Sequence, residues 1–294
     1  TFNITAPPAI VVTPVSQTNI LCNGGSNGAA SVSASGGAGS FTYNWTPGNP
    51  TGDGTASVTG LTAGNWTCTV TDANSCTQTA SFNITAPPAI VVTPVSQTNV
   101  SCNGGSNGAA SVSASGGAGG FTYNWTPGNP TGDGTASVTG LTAGNWTCTV
   151  TDANSCTQTA NFNITAPPAI VVTPVSQTNV SCNGGSNGAA SVSASGGAGG
   201  FTYNWTPGNP TGDGTTSVTG LTAGNWTCTV TDANSCTNIA TFNITAPPAI
   251  VVTPLSQTNV SCNGGSNGAA SVSASGGAGG FTYNWTPGNP TGDG

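Results

Sequence analysis

The residues of this chain that carry chemistry are few and regularly placed. Ten cysteines recur with a spacing of 80: Cys22, Cys102, Cys182 and Cys262, then Cys68, Cys148 and Cys228, then Cys76, Cys156 and Cys236. Seven Asp are the only charged side chains, and the chain has no Lys, Arg or His. General acid–base catalysis usually draws on His, Glu, Lys or a tuned Asp, so most catalytic routes are closed and no cofactor is called for. Side-chain phosphate binding wants Lys or Arg. A net charge of −7 with no cation to neutralise phosphates excludes nucleic acid as a partner, and anionic membrane surfaces for the same reason. Cysteines repeated in a chain without enzyme chemistry point to disulfides and an oxidising, extracellular setting.

Low charge is not disorder here. The chain is 35% hydrophobic, and its Trp, Phe and Tyr stand at fixed places, so it has the means to bury a core. The longest aliphatic run, Ala9-Ile10-Val11-Val12, is far too short for a membrane-spanning helix. No signal peptide is visible, and the sequence opens in mid-pattern, as expected of a window from a longer array.

The pattern itself is a tandem repeat. Residues 81–160 and 161–240 differ at four positions, and GNWTCTVTDANSC recurs unchanged at 64–76, 144–156 and 224–236. A period of 80 is longer than most solenoid repeats and long enough for one small β domain. The expected organisation is residues 1–8 as the last strand of a preceding repeat, then repeats at 9–88, 89–168 and 169–248, and a truncated one at 249–294.

Within a repeat, apolar and polar residues alternate with period 2. Trp66, Cys68 and Val70 alternate with Thr67, Thr69 and Thr71; Phe41, Tyr43 and Trp45 with Thr42 and Asn44; Phe82 and Ile84 with Asn83 and Thr85. Gly-, Asn- and Pro-rich turns separate these runs, and no helical period is present. The pattern predicts strands near 9–16, 28–35, 40–46, 55–60, 64–72 and 76–85, and hence an all-β, immunoglobulin-like sandwich in each repeat. Ala86-Pro87-Pro88-Ala89 reads as a short, stiff linker, which predicts a semi-rigid rod of sandwiches.

Alternation turns Cys68 inward beside Trp66. Three pairings are open to the cysteines of one repeat. Cys68 with Cys76 would join consecutive strands at positions that are not opposite. Cys22 with Cys68 would resemble the immunoglobulin bridge beside Trp45, although Cys22 precedes the strand that should carry it. Cys22 with Cys76 joins two positions near loops, and is favoured at about 3–4 kcal/mol in the chain-entropy model.

The frame CNGGSNG, SGGAGSFTYNW, LTAGNWTCTVTDANSC and FNITAPP resembles the SprB-repeat family over residues 9–294. Such repeats occur in very large cell-surface adhesins of Bacteroidota, including gliding-motility adhesins exported by type IX secretion. The family usually carries two cysteines, matching Cys22 and Cys76, so the resemblance implies bridges Cys22–Cys76, Cys102–Cys156 and Cys182–Cys236. Cys68, Cys148 and Cys228 would then be buried thiols, at a place where the family usually has Val.

Other features invite sharper readings. Asp53 in TGDGT and Asp72 in TDANS are too few and too far apart for a calcium site, and read as solvated turn residues; no metal is expected. Fourteen Asn-x-Ser/Thr triplets, Asn44 and Asn65 among them, are what a chain rich in Asn and Thr produces without any glycan. The Thr67, Thr69 and Thr71 row is an ordinary exposed strand face, and Phe41, Tyr43, Trp45 and Trp66 belong in the core.

The expectation is a non-enzymatic, extracellular stalk of an adhesin or surface filament, whose partners are neighbouring repeats of its own chain. The alternatives are an array binding a surface glycan through its Thr/Asn faces, and a fibre that assembles with other copies of itself.

Overall fold

The computed structural model describes residues 2–287, and among them every regular element is a strand. The chain divides into two compact units. The first runs to Val100 and takes in Ser106–Thr165; the second holds Ser101–Gly105 and the residues from Ala166 onward.

The first unit contains two sandwiches of the same design. In the first sandwich the strands are β1 (Val11–Thr18), β2 (Gly28–Ser35), β3 (Thr42–Thr46), β4 (Ser57–Leu61), β5 (Gly64–Thr71) and β6 (Thr77–Ile84). One sheet has the order β1-β2-β4 and the other β3-β5-β6, all antiparallel. This is the A-B-E and C-F-G arrangement of an immunoglobulin sandwich without a strand between C and E. There the TPGNPTGDG stretch makes tight turns instead. The second sandwich repeats the order with β7 (Val91–Thr98), β8 (Gly108–Ser115), β9 (Thr122–Thr126), β10 (Ser137–Leu141), β11 (Gly144–Thr151) and β12 (Thr157–Ile164).

The second unit holds a third sandwich, β13 (Val171–Thr178), β14 (Gly188–Ser195), β15 (Thr202–Thr206), β16 (Ser217–Leu221), β17 (Gly224–Thr231) and β18 (Thr237–Ile244). It also holds a two-stranded sheet of β19 (Val251–Thr258) and β20 (Ala269–Ser275). Each sandwich is immunoglobulin-like, and equivalent strands recur every 80 residues.

Period-2 alternation builds the core. On β5, Trp66, Cys68 and Val70 are buried, and the threonines between them are only partly covered. They meet Trp45, Val58, Leu61, Phe82 and Ile84 in one cluster with Ala30 and Val32 of the facing sheet. Trp45 is fully buried, its ring 5.5 Å from that of Phe82. Its indole N–H donates to the Thr55 carbonyl at 2.9 Å, so the one polar atom of the ring is paired. Phe41 and Tyr43 pack against this cluster but stay half exposed. Gly28 is required by close approach: a Cβ there would press on the Leu61 carbonyl at 2.8 Å and on Ile84 at 2.9 Å.

The apolar start of β1 contributes little to the core, because β1 is an edge strand. Ile10 is buried, while Val11 and Val15 face solvent. Pro14 sits at a register shift in this strand, where the missing N–H costs no central ladder bond. Residues 2–8 form no strand, and Phe2 and Ile4 are exposed. Their counterparts Phe82 and Ile84 pair with Trp66 and Gly64 on β5, and among the described residues no strand pairs with residues 2–8.

Candidate functional site

The fold sends the two loop cysteines of one repeat to opposite ends of its sandwich. Gln17 donates through its amide to the Asn83 carbonyl at 2.7 Å, and Ile20 N–H to the Thr85 carbonyl at 2.9 Å. The Cys22 loop therefore lies beside the C-terminal end of β6. Cys76 immediately precedes β6, whose eight residues span about 26 Å at 3.3 Å each. A disulfide needs Cα atoms roughly 4.4–6.8 Å apart.

The expected bridge from Cys22 to Cys76 is therefore replaced by one to the next repeat. Cys22 is bonded to Cys156, and Cys102 to Cys236, each with Cα atoms 5.6 Å apart. Each bridge spans 134 positions, one full period more than the 54 within a repeat. Cys76, Cys182 and Cys262 are exposed free thiols. Cys68, Cys148 and Cys228 are free and buried.

Two constructions meet at the first bridge. The upstream half is the loop after β1, closed by a bond from Gly25 N–H to the Cys22 carbonyl. Asn23 of this loop donates to the Pro87 carbonyl at 3.0 Å and so holds the linker. The next carbonyl, of Pro88, accepts from Gly117 N–H of the following sandwich at 3.0 Å. The linker is thus tied on both sides, which brings the Cys22 loop to the turn between β11 and β12.

That turn is the downstream half, and Asp152 organises it. One carboxylate oxygen accepts from the backbone N–H of Asn154 and Cys156, both at 2.9 Å. The other accepts from Ala118 N–H at 2.9 Å. These bonds, that from Ala118 foremost, hold the Asp152 carboxyl below the usual Asp range against a smaller opposing effect of burial. Ser155 takes the left-handed conformation, φ 64°. The freed Asn154 side chain donates to the Leu21 carbonyl across the junction at 2.9 Å.

The bridge, the linker prolines and Asp152 border a cleft of ≈470 Å³. In the second unit the same parts recur. Asp232 holds the turn, Asn234 donates to the Ser101 carbonyl at 3.0 Å, and a cleft of ≈400 Å³ adjoins Cys102–Cys236.

Neither type of Asp is merely solvated, as the turn chemistry suggests. Asp72 is buried with both oxygens occupied by backbone N–H groups, and Asp53 accepts from Trp45 N–H at 2.8 Å. Among the described residues, no group of three or more His, Cys, Asp or Glu is placed to hold a metal ion. Asn44 and Asn65 are exposed on their strands.

The SprB repeat family model matches residues 15–50, 95–130, 175–210 and 255–290. The first three matches run from β1 or its equivalent, through the loop carrying the first cysteine, to the tryptophan strand and the turn beyond it. No curated protein matches the chain. Among solved structures, titin domains I67–I69 align at 16% identity over 83% of this chain and 99% of theirs, with a TM-score of 0.35. Invasin, described as a bacterial integrin-binding protein, aligns at 15% identity over 83% of this chain and 62% of its own, TM-score 0.32. Sidekick-1 immunoglobulin domains 1–5 align at 17% identity over 83% of this chain, TM-score 0.28. The alignment spans 60% of that Sidekick-1 chain, less than two thirds of its length. The chain belongs to the SprB repeat family and carries four of its repeats.

Proposed function

We propose that this chain is a stalk segment of an extracellular adhesin or surface filament, and that its repeats supply reach rather than chemistry. The observation that carries this reading is the bridge from Cys22 to Cys156, which joins one repeat to the next. A bridge inside one sandwich would stabilise that sandwich alone. A bridge between consecutive repeats fixes their order and resists their separation, which suits a part that transmits tension. Membership of the SprB repeat family supports a cell-surface adhesin, and disulfides support an extracellular location. The near-identity of the repeats fits as well, because a spacer needs length and not variety.

The reading is tested by varying repeat number. Oxidised arrays of three, six and nine repeats should lengthen by a constant increment in rotary-shadowed images, and a single repeat should pass unretained over polysaccharide columns. A compact particle whose longest dimension fails to grow with repeat number overturns the stalk. Retention of one repeat on a polysaccharide would do so as well, in favour of a binding array.

A further inference from the structure

The two bridges overlap along the chain. Cys22–Cys156 encloses residues 22–156, and Cys102–Cys236 encloses residues 102–236. Their shared stretch, from Cys102 to Cys156, spans 54 positions. We propose that this stagger is a covalent fail-safe: a single break of the backbone anywhere between Cys22 and Cys236 leaves the array in one piece.

The argument is connectivity alone. A break between Cys22 and Cys102 leaves the route through Cys22–Cys156. A break between Cys156 and Cys236 leaves the route back to Cys102 and across to Cys236. A break in the shared stretch leaves both bridges and both flanking stretches. Bridges confined within repeats, from 22 to 76 and from 102 to 156, would leave every peptide bond between Cys76 and Cys102 as a point of failure. That interval includes the Pro87-Pro88 linker, where a rod of domains is otherwise most open to cutting.

The same connectivity caps extension. Between Cys22 and Cys236 an unbridged chain of 214 residues could be drawn out to about 750 Å, at roughly 3.5 Å per residue. With both bridges intact the shortest covalent route is the shared stretch of 54 positions plus two Cα–Cα spans of 5.6 Å, about 200 Å in all. Tension that unfolds the sandwiches is thus met by covalent bonds after about a quarter of the unbridged length. A longer SprB array with the same stagger would have every interior peptide bond enclosed by at least one bridge. This property holds whether or not the array is a stalk, so its test is separate from that of the proposed function.

The sequence provides its own assay. It contains no Lys or Arg, so one introduced arginine is the only trypsin site. Ala89→Arg places that site at the exposed linker, and Val95→Arg places it at an exposed position of β7; both lie between Cys76 and Cys102. Gln257→Arg puts a control site beyond Cys236. The full chain is oxidised while folded, its exposed thiols are blocked, and it is then denatured without reductant in excess alkylating reagent, which caps the buried thiols as they emerge, and digested. The expected result is that both nicked variants migrate as one chain until reductant is added, when Ala89→Arg separates into pieces of 89 and 205 residues. The Gln257→Arg control separates with or without reductant. If nicked Ala89→Arg and Val95→Arg fall apart without reductant, the bridges do not span the linker and the proposal fails. Species of twice the mass would show bridges between chains and overturn it too.

Discussion

Trp45 on β3 and Cys68 on β5 are directly opposed in register, at the place where an immunoglobulin domain sets its core tryptophan against a disulfide. Here the facing strand β2 offers Ala30 and Val32 inward, so Cys68 has no sulfur to meet and remains a small buried thiol. Trp45 therefore carries much of the packing unaided. Trp45→Ala should cost about 3–5 kcal/mol, because a fully buried ring is removed and its donor to Thr55 is lost. Cys68→Val, close in volume, should cost less than about 1.5 kcal/mol. Urea unfolding of the two variants measures the contrast. Equal midpoints for them would show that the ring is not central to the core.

The buried thiols predict instability in alkali. Burial, reinforced by the nearby Asp53 carboxylate, pushes the Cys68 thiol up from 9.0 to about 11, and Cys148 and Cys228 behave alike. Their folded-state values lie above the unfolded ones, so the folded protein keeps protons that the unfolded chain gives up. This stabilisation is complete below about pH 9 and is lost as pH rises to about 11. Urea midpoints should fall across that window. The triple variant Cys68→Val, Cys148→Val, Cys228→Val should show a smaller fall, and an identical one would mean the thiols play no part.

Acid acts through a different residue. Asp72 accepts backbone N–H bonds from Ala38, Asn74 and Cys76, and these, the Ala38 bond first, draw its carboxyl below the usual Asp range. Asp152 and Asp232 are held in the same way. A depressed folded value means that stability is present above the ordinary Asp range, near 4, and is lost as pH falls through the folded value below it. Asp152→Asn keeps the shape but weakens the acceptors that set the Cys156 turn. It should lower the neutral-pH urea midpoint, flatten its fall in acid and slow formation of the Cys22–Cys156 bridge on reoxidation. An unchanged acid profile would remove Asp152 from that role.

Much of this was legible in the sequence, for a physical reason. The six strands of each sandwich follow from alternation, and most of the buried residues on them are flanked by Thr, Asn or Ser. The exposed edge strand β1 and the half-exposed Phe41 and Tyr43 are less legible, because period 2 gives the side a residue faces and not how deeply that side is covered. The bridges were hidden for a different reason. In a chain of near-identical repeats, Cys76 and Cys156 have the same local sequence, so no local rule can tell a partner within the repeat from one in the next. Only the run of β6, with Cys76 before it and the Cys22 loop at its far end, separates the two. Local sequence marks Asp72 as a turn residue, but not the bond to its second oxygen, because the donor Ala38 lies 34 positions away.

Thiol counting distinguishes the two bridge patterns without any mutation. With Cys22–Cys156 and Cys102–Cys236 bonded, six cysteines are free. Cys76, Cys182 and Cys262 are exposed, while Cys68, Cys148 and Cys228 are buried and, with their thiols raised to about 11, hold almost no thiolate at neutral pH. Mass spectrometry of the native chain after brief alkylation should show three labels, rising to six on unfolding and to all ten after reduction. Bridges within repeats would free only Cys262 and the three buried thiols, giving one label in the native state and four on unfolding. The two outcomes differ at both steps, so a partial reaction at one cannot be mistaken for the other pattern. Peptic peptides should then join the residues around Cys22 to those around Cys156. A peptide joining Cys22 to Cys76 would return the bridge to a single sandwich and would require the Cys22 loop to leave the end of β6 where Ile20 and Thr85 hold it.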